Sequence, residues 1–155
     1  MLGPDLVIKA VGSGSAGARP GPSLNDWHLA RTCPAPLLFM GPHAWRPTPR
    51  IAASIDPTDG ETPGFAAQIV DSASRLAQSG RGQLDLVYCS PVQSGAPLTA
   101  TATSALDALR TRFRVPRERI HVLQGDPVAT LPRFIAHEGY DVVGLGALTP
   151  VSYTN

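Results

Sequence analysis

The sequence predicts an α/β protein whose open, mainly parallel sheet carries helices on both faces, a Rossmann-like arrangement. Three observations support this prediction. From Arg50 onward, short apolar runs rich in branched side chains alternate with longer segments whose apolar residues recur at helical spacing. Turns containing Gly, Pro or Asp separate these segments. Finally, strands separated by helices of this length imply parallel pairing through right-handed crossovers.

Residues 119–148 have the most regular pattern of the chain. An apolar strand is predicted over 120–123, where the composition suits burial on both faces. A second strand is predicted over 141–146, which runs out into glycine. We interpret this stretch as one parallel strand-helix-strand unit. Because open α/β sheets bind ligands beyond the carboxyl ends of their strands, we expect Gly125 and Gly146 on the rim of a crevice.

The helix between these two strands has a clear start signal. Asp126 is placed to cap it, and Pro127 to occupy its first turn, where a missing N–H costs nothing. Pro132 falls inside the same helical pattern. The helix is therefore predicted either to start late, near Thr130, or to be kinked.

Two further strand-and-helix pairs precede this unit. The strands are predicted over 50–55, ending at Asp56, and over 84–89. Apolar residues at spacings of three and four indicate the helices. Those of the first helix are Phe65, Ile69, Ala73 and Leu76, and those of the second are Ala102, Ala105, Leu106, Leu109 and Phe113.

The first 45 residues have a less regular organisation. Their helix has Ser23 or Asn25 as its N-cap, and Trp27 is expected to pack inward. Three prolines make the segment that follows a stiff linker and the best domain boundary. The predicted elements are a strand over 5–11, a Gly- and Ser-rich loop over 12–22, a helix over 23–32, a strand over 37–40 and the linker over 41–49.

Composition narrows the class of protein. With 155 residues and 43% hydrophobic content, the chain can bury one sizeable core. A net charge of +1 gives no global field for nucleic acid or membranes. Cys33 and Cys89 form no CxxC motif, which suits a reducing compartment. With no leader pattern and no apolar run of membrane-spanning length, we expect a cytoplasmic protein.

Several segments resemble the universal stress protein family. They are the strand that ends in Asp56, the Gly125-Asp-Pro exit of a later strand, and the DVVGLG strand over 141–146. The resemblance is closer to tandem, two-repeat members of the E type, whose first repeat ends in segments like DLVIKA (5–10) and DWHLARTCPAP (26–36). It covers almost the whole chain and implies the same α/β fold.

The resemblance also implies a domain organisation. Residues 1–45 correspond to the C-terminal segment of one repeat, and residues 46–155 to a second repeat that stops after its fourth strand. The family's usual final helix and fifth strand would follow Thr149. Our hypothesis is that residues 26–40 supply the missing helix and strand, within one chain or by exchange between two chains of a homodimer.

For nucleotide binding, the resemblance implies an acidic residue after the first strand and a glycine loop after the fourth, whose amides hold phosphates. Asp56 matches the acidic position, Gly146 the first glycine, and Gly125 a neighbouring turn. Thr149 stands where the second glycine is expected, the distal Gly-Ser/Thr is missing, and Lys9 stands near the first glycine of the preceding repeat. Half of the phosphate site is therefore absent, and Asp56 is otherwise a turn residue that ends a strand.

Other chemistry has plainer interpretations. The histidines and cysteines have no metal-ligand spacing, so we expect no metal site. His121 is interpreted as a hydrogen-bonded sheet histidine, and Cys89 as a small buried apolar residue rather than a reactive thiol. A crowded arginine patch could meet an anion or RNA, but a solvated surface is favoured. The residues concerned are His28, His43, His121 and His137, with Arg110, Arg112, Arg114, Arg117 and Arg119.

Two functions from different classes follow. The first is a non-enzymatic stress-response module of the E type that acts through dimerisation and through partner or small-ligand binding, with no resident cofactor. The alternative is an ATP-binding member that acts as a switch or very slow ATPase. A homodimer is expected, with no nucleic acid or membrane partner. A redox or nucleotidyl-transfer domain with similar strand order is a third, fold-level possibility without a cofactor fingerprint.

Overall fold

A computed structural model describes residues 4–11, 22–59, 62–91 and 97–146 of the chain. The predicted residues Gly12 to Ser15 and Thr149 lie outside these ranges. The described residues up to Ala44 belong to one compact unit, and Trp45–Gly146 belong to a second. Among the helices of the described ranges, none has the length and apolarity that crossing a bilayer would require.

The first unit is a parallel strand-helix-strand unit. Strand β1 (Val7–Ala10) pairs with β2 (Leu37–Met40), and helix α1 (Leu24–Thr32) connects them. Ser23 caps α1 by accepting a hydrogen bond from Asp26 N, while the Asp26 carboxylate accepts one from Ser23 N at 2.8 Å. This capping box confirms one of the two predicted caps. Lys9 Nζ lies 3.3 Å from Asp26 Oδ1, which ties β1 to the start of the helix.

Trp27 does not pack inward as predicted. Its side chain is 52% exposed, and Leu24, one turn before it, is 88% exposed. The only buried residue of α1 is Asp26, which its hydrogen bonds to the N-cap hold in place. The polar cap, rather than the indole, therefore sets the orientation of α1.

The second unit is a four-stranded parallel sheet in the order β5-β4-β3-β6. Its strands lie close to the predicted positions, and each crossover contains one helix. The elements are β3 (Arg50–Ser54), α2 (Phe65–Ser79), β4 (Gln83–Ser90), α3 (Ala100–Arg112), a 3-10 turn (Arg117–Arg119), β5 (Ile120–Gln124), α4 (Pro127–Glu138) and β6 (Val142–Gly144).

Helices cover both faces of this sheet, as the sequence predicts. One apolar cluster joins α2 and α3 to the sheet, and a smaller cluster joins α4 to the opposite face. The alternation along β3 shows the two faces, because Ile51 and Ala53 belong to the first cluster and Ala52 to the second. All three are fully buried. Strands β3 and β4 are therefore the central strands.

One prediction for residues 119–148 is wrong. Strand β5 is not buried on both faces; among the described residues it is an edge strand, and Val122 is 40% exposed. Strands β5 and β6 are parallel members of one sheet, as the predicted strand-helix-strand unit requires, but they lie at opposite edges and the connection through α4 crosses the whole sheet. The physical reason is that β3 and β4, whose side chains are almost all buried, take the two positions that helices cover from both sides.

Helix α4 begins at Pro127 and not near Thr130. Asp126 is its N-cap, as predicted, and accepts a hydrogen bond from Ala129 N at 3.1 Å. Pro132 lies inside the helix. Its missing N–H would have bonded the carbonyl of Val128, a residue of the first turn that is 83% exposed, so water can replace the lost donor.

Helices α2 and α3 end in the same way, with an arginine in the left-handed conformation. Arg81 (φ +51°) follows α2, and Arg114 (φ +54°) follows α3. In this Schellman arrangement, Gly82 N donates to Ala77 O at 2.7 Å, and Val115 N makes the matching bond after α3. Glycine usually occupies this position, since left-handed backbone costs other residues roughly 1–2 kcal/mol. A cation at a helix C-terminus recovers only about 0.3–1 kcal/mol.

The hypothesis that residues 26–40 complete the large sheet, within one chain or by exchange between two chains, stays a prediction. Within the first unit, β2 pairs with β1 in a parallel pair of four residues each.

Leu86→Ala should destabilise the second unit by about 2–5 kcal/mol, since Leu86 is fully buried in β4 and truncation leaves a cavity. Val128→Ala is the matched control, because that side chain is 83% exposed and its loss should change stability by no more than about 0.5 kcal/mol. Urea unfolding of the full chain, followed by circular dichroism, measures both. Equal effects would contradict the assigned core.

Candidate ligand site at the switch point

The carboxyl ends of β3 and β6 lie side by side, because the two strands pair in parallel with Ala53 opposite Gly144. Asp56 follows β3 and Gly146 follows β6. The sheet continues to β4 and β5 on one side of β3 and to β6 on the other. This reversal of strand order is where open α/β sheets bind ligands. We call the end of the sheet between Asp56 and Gly146 the switch point.

The structure brings together two of the four predicted nucleotide-binding residues. Asp56 and Gly146 follow neighbouring strands, about 5 Å apart. Gly125 follows β5 at the opposite edge, three strand spacings or roughly 14 Å from β6, so it does not share a rim with Gly146. It instead forms a tight turn with φ +114°, in which its N–H donates to Ser90 O at 3.1 Å. Thr149 lies outside the described residues.

Asp56 forms the turn that follows β3. Its Oδ1 accepts hydrogen bonds from the backbone N (3.0 Å) and the hydroxyl (2.7 Å) of Thr58. The negative charge of Asp56 also affects Tyr88 of β4. Burial raises the pKa of Tyr88, and the charge of Asp56 raises it further. Asp56 therefore places a negative charge at the switch point and at the same time ends the strand.

A second carboxylate occupies the N-terminus of α2. Asp59 accepts hydrogen bonds from Gly64 N at 2.7 Å and from Ala66 N at 2.6 Å. Asp59 has φ +60° and Gly64 has φ +82°, so both residues adopt the left-handed backbone conformation. These N–H groups are the donors that a phosphate at a helix N-terminus would use. In this chain an internal carboxylate already satisfies them.

Phe65 closes the other side of the switch point. A Cβ atom on Gly146 would lie 2.7 Å from Cζ of Phe65 and 3.0 Å from Cδ1 of Ile69. Any side chain at position 146 would displace the Phe65 ring or Ile69, which is a steric reason for glycine independent of phosphate binding.

A buried polar cluster on the other half of the sheet was missed at the level of sequence. Asp85 of β4 is 3% exposed, and its Oδ2 accepts from Tyr140 Oη at 2.7 Å and contacts His121 Nε2 at 3.0 Å. Arg50 Nη2 lies 3.5 Å from the same oxygen, and its guanidinium stacks on the Tyr140 ring at 4.6 Å. The available signal was a lone acidic residue inside the apolar run LDLVYC, which requires buried partners.

Two titrating groups belong to this region. Burial and the hydrogen bond to Asp85 raise the pKa of Tyr140 well above its ordinary value. For Asp141, burial raises the pKa, but hydrogen bonds from the backbone N–H groups of Arg50 and Arg46 and the charge of Arg46 outweigh it, so the net shift is downward. Asp141 Oδ2 accepts from Arg50 N at 2.9 Å. This bond joins the start of β3 to the start of β6.

The remaining candidates have structural surroundings. His121 lies in β5 with its ring against Phe134, at a centroid distance of 5.1 Å, and its Nε2 on Asp85. Cys89 is 9% exposed, and burial followed by the charge of Asp126 raises its pKa, which disfavours the reactive thiolate. In the described ranges, His, Cys, Asp and Glu side chains form no group of three or more suited to a metal ion.

The sequence is 26% identical over 142 residues to a universal stress protein E homolog of Haemophilus influenzae, covering 79% of this chain and 46% of that protein. No protein-family model matches it. A structure assigned to the universal stress proteins of Pseudomonas aeruginosa UCBPP-PA14 superposes with a TM-score of 0.72 and 24% identity, over 96% of this chain and 55% of that chain. A functionally unknown protein from Pseudomonas aeruginosa PAO1 gives 0.71 and 24%, over 96% and 54%.

The fold and its switch point define a doubly wound α/β protein. The sequence relative confirms the predicted resemblance to the universal stress protein family, and the solved structures confirm the α/β fold. The matched sequence relative is of the E type, as the DWHLARTCPAP segment predicts. The chain spans about half the length of these relatives.

Asp141→Asn should destabilise the second unit by about 1–3 kcal/mol at neutral pH, because the amide cannot accept from Arg50 N and Arg46 as the carboxylate does. Since the folded-state pKa of Asp141 lies below its ordinary value of 3.8, its contribution is complete above that pH and is lost as the pH falls through the folded pKa. The difference between variant and wild type should therefore shrink below pH 3.8.

Urea unfolding of both proteins across acidic and neutral pH measures this difference. Asp71→Asn is the control, since its ion pair with Arg75 lies on the exposed face of α2 with both side chains solvated. Its loss should cost no more than about 1 kcal/mol. A pH-independent difference for Asp141→Asn would contradict the assigned role.

Proposed function

We propose that the chain is a non-enzymatic universal stress protein module of the E type that acts by association. In this proposal it forms a homodimer and binds a protein partner or a small ligand at the switch point, without a resident cofactor. The proposal supposes a soluble, cytoplasmic protein. One observation carries it: Asp59 and Phe65 already occupy the positions at which the switch point would otherwise hold phosphates.

The charge at the switch point supports the same conclusion. Asp56 and Asp59 lie within one turn of the loop after β3, and each carboxylate accepts hydrogen bonds from its own loop or from the start of α2. Two carboxylates raise the electrostatic cost of a triphosphate at this place. Neutral or cationic groups of a ligand or partner are favoured there.

The edges of the large sheet provide surface for association. Both β5 and β6 have one side without a strand partner among the described residues. Val122 of β5 and Leu145, just after β6, are 40% and 62% exposed. An edge strand with exposed apolar side chains is a template for pairing with another chain. A homodimer or partner complex formed through such an edge would cover them.

The second candidate is an ATP-binding switch or very slow ATPase. The observation that favours it is the placement of Asp56 and Gly146 on neighbouring strands at the switch point. Binding would require the Asp59 carboxylate to leave the start of α2 and the Phe65 ring to move away from Gly146. The proposal of an association module needs neither rearrangement.

Native mass spectrometry of the purified chain, before and after addition of Mg-ATP, tests both candidates. The expected result is a dimer that gains no nucleotide. A one-to-one nucleotide adduct that forms with the wild-type chain but not with Asp56→Ala would overturn the proposal in favour of the ATP-binding switch. Asp71→Ala is the control for removing an acidic side chain, because it lies in the middle of α2 and pairs with Arg75. A monomer without adduct would contradict the dimer.

A further inference from the structure

A pocket of about 310 Å³ lies at the end of the large sheet opposite to the switch point, near the amino ends of β4 and β5. Residues of α2, of the start of β4 and of the segments that follow α2 and α3 surround it. Its exposed lining is more polar than apolar, and arginines are the only charged residues among the described residues that line it. The lining includes Ala77, Leu84, Phe113, Arg81, Arg114 and Arg119.

We propose that this pocket binds a small organic phosphate, with the phosphate held by Arg81, Arg114 and Arg119 and the organic group against Phe113. Guanidinium groups match phosphate oxygens in paired hydrogen bonds, and three of them around one pocket neutralise a dianion. A volume of 310 Å³ accommodates a phosphate monoester with one ring. This site is separate from the switch point and does not rest on the function proposed for it.

The first argument is that these arginines have no acidic partner in the part of the chain that the structure describes. Other arginines of this chain do have one: Arg110 lies 2.8 Å from Asp107, and Arg46 lies 3.2 Å from Asp141. Three unpaired cations around one pocket repel one another, and a bound dianion removes that repulsion. The pocket therefore has the charge complementary to phosphate.

The second argument is the backbone at two of the three arginines. Arg81 and Arg114 are the left-handed residues of the two Schellman motifs, where glycine would be more stable. Their helix-terminal charge compensates for only part of the strain. Arg81 and Arg114 each take a position that favours glycine, at the ends of two different helices, and both contribute side chains to the same pocket. Strain of this kind persists at functional sites and motivates a functional explanation.

The third argument is that the turn at Arg81 is held rigidly. Gly82 packs against Pro49, since a Cβ atom on Gly82 would lie 2.9 Å from Cγ of the proline. Pro49 is buried, and its carbonyl accepts a hydrogen bond from Gln83 N at 2.8 Å. The backbone that carries Arg81 is therefore fixed between α2 and β4, which lowers the entropy lost when the side chain binds a ligand.

The sequence predicts a solvated surface for the whole arginine patch, but the structure places only some of these arginines at the pocket. Arg114 and Arg119 line the pocket, whereas Arg117 does not. Arg110 pairs with Asp107, and the guanidinium of Arg112 stacks on Phe113 at 5.1 Å. Arg81 comes from a different helix and joins them only in the folded chain.

Titration of the isotope-labelled full chain with phenyl phosphate, followed by amide NMR shifts, tests the proposal. We expect saturable one-site shifts at Gly82, Val115 and Arg119, with weaker binding of inorganic phosphate, which lacks the ring. Arg81→Gly/Arg114→Gly should melt at the same or a higher temperature and bind at least about tenfold more weakly, since each charge-assisted hydrogen bond accounts for about that factor. The control Arg117→Ser removes an exposed charge beside the pocket and should leave both the melting temperature and the binding of phenyl phosphate unchanged.

Three results would overturn the proposal. Equal weakening by Arg117→Ser would indicate a diffuse positive surface, and wild-type binding by the double glycine variant would show that the two arginines hold no ligand. Shifts confined to Asp56 and Gly146 would move anion binding to the switch point. If the double glycine variant melts at a lower temperature, its weaker binding could come from lost stability. Arg119→Ser then replaces it as the test, because this substitution leaves both helix ends intact. Unchanged phenyl phosphate binding by Arg119→Ser would reject the site.

Discussion

The carboxylate of Asp85 is the interaction on which the four-stranded sheet depends. Its partners come from three other places: Arg50 on β3, His121 on β5 and Tyr140 just before β6. Burying a carboxylate costs several kcal/mol unless such donors are present. The donors come from all three other strands or their entry, and the order β5-β4-β3-β6 brings them to one oxygen. We infer that this cluster specifies strand order as well as stability.

The two ends of the sheet differ in their chemistry. The amino-terminal half holds the internal polar connections around Asp85 and Asp141 and carries the arginine pocket. The carboxyl ends present Asp56 and Asp59, whose hydrogen bonds are all with their own loop or with α2. One sheet therefore offers a positive surface at one end and a negative surface at the other. The two surfaces are separated by the length of the strands.

Local signals in the sequence predicted local structure well. Ser23 and Asp126 cap helices as expected, because capping depends on residues within one turn. The neighbours of β5 and β6 could not be predicted, since their position follows from the competition of four strands for the covered centre of the sheet. At the candidate site, Asp56 and Gly146 were found through a family resemblance. The packing of Phe65 against Gly146 was not found, because it depends on tertiary contacts. The left-handed arginines were not found either, because the sequence pattern favours glycine at such positions.

The path of α4 across the sheet has a consequence for the order of folding. Strands β3 and β4 pair across a single crossover, but β6 meets β3 only after a chain separation of 91 residues between Arg50 and Asp141. Contacts between residues so far apart in sequence form late, because the entropy of loop closure is lost before they are made. During synthesis the sheet of β5, β4 and β3 can therefore assemble before β6 joins it. The place where Gly146 meets Phe65 is created only when β6 docks, so a ligand bound there reports that β6 has joined the sheet.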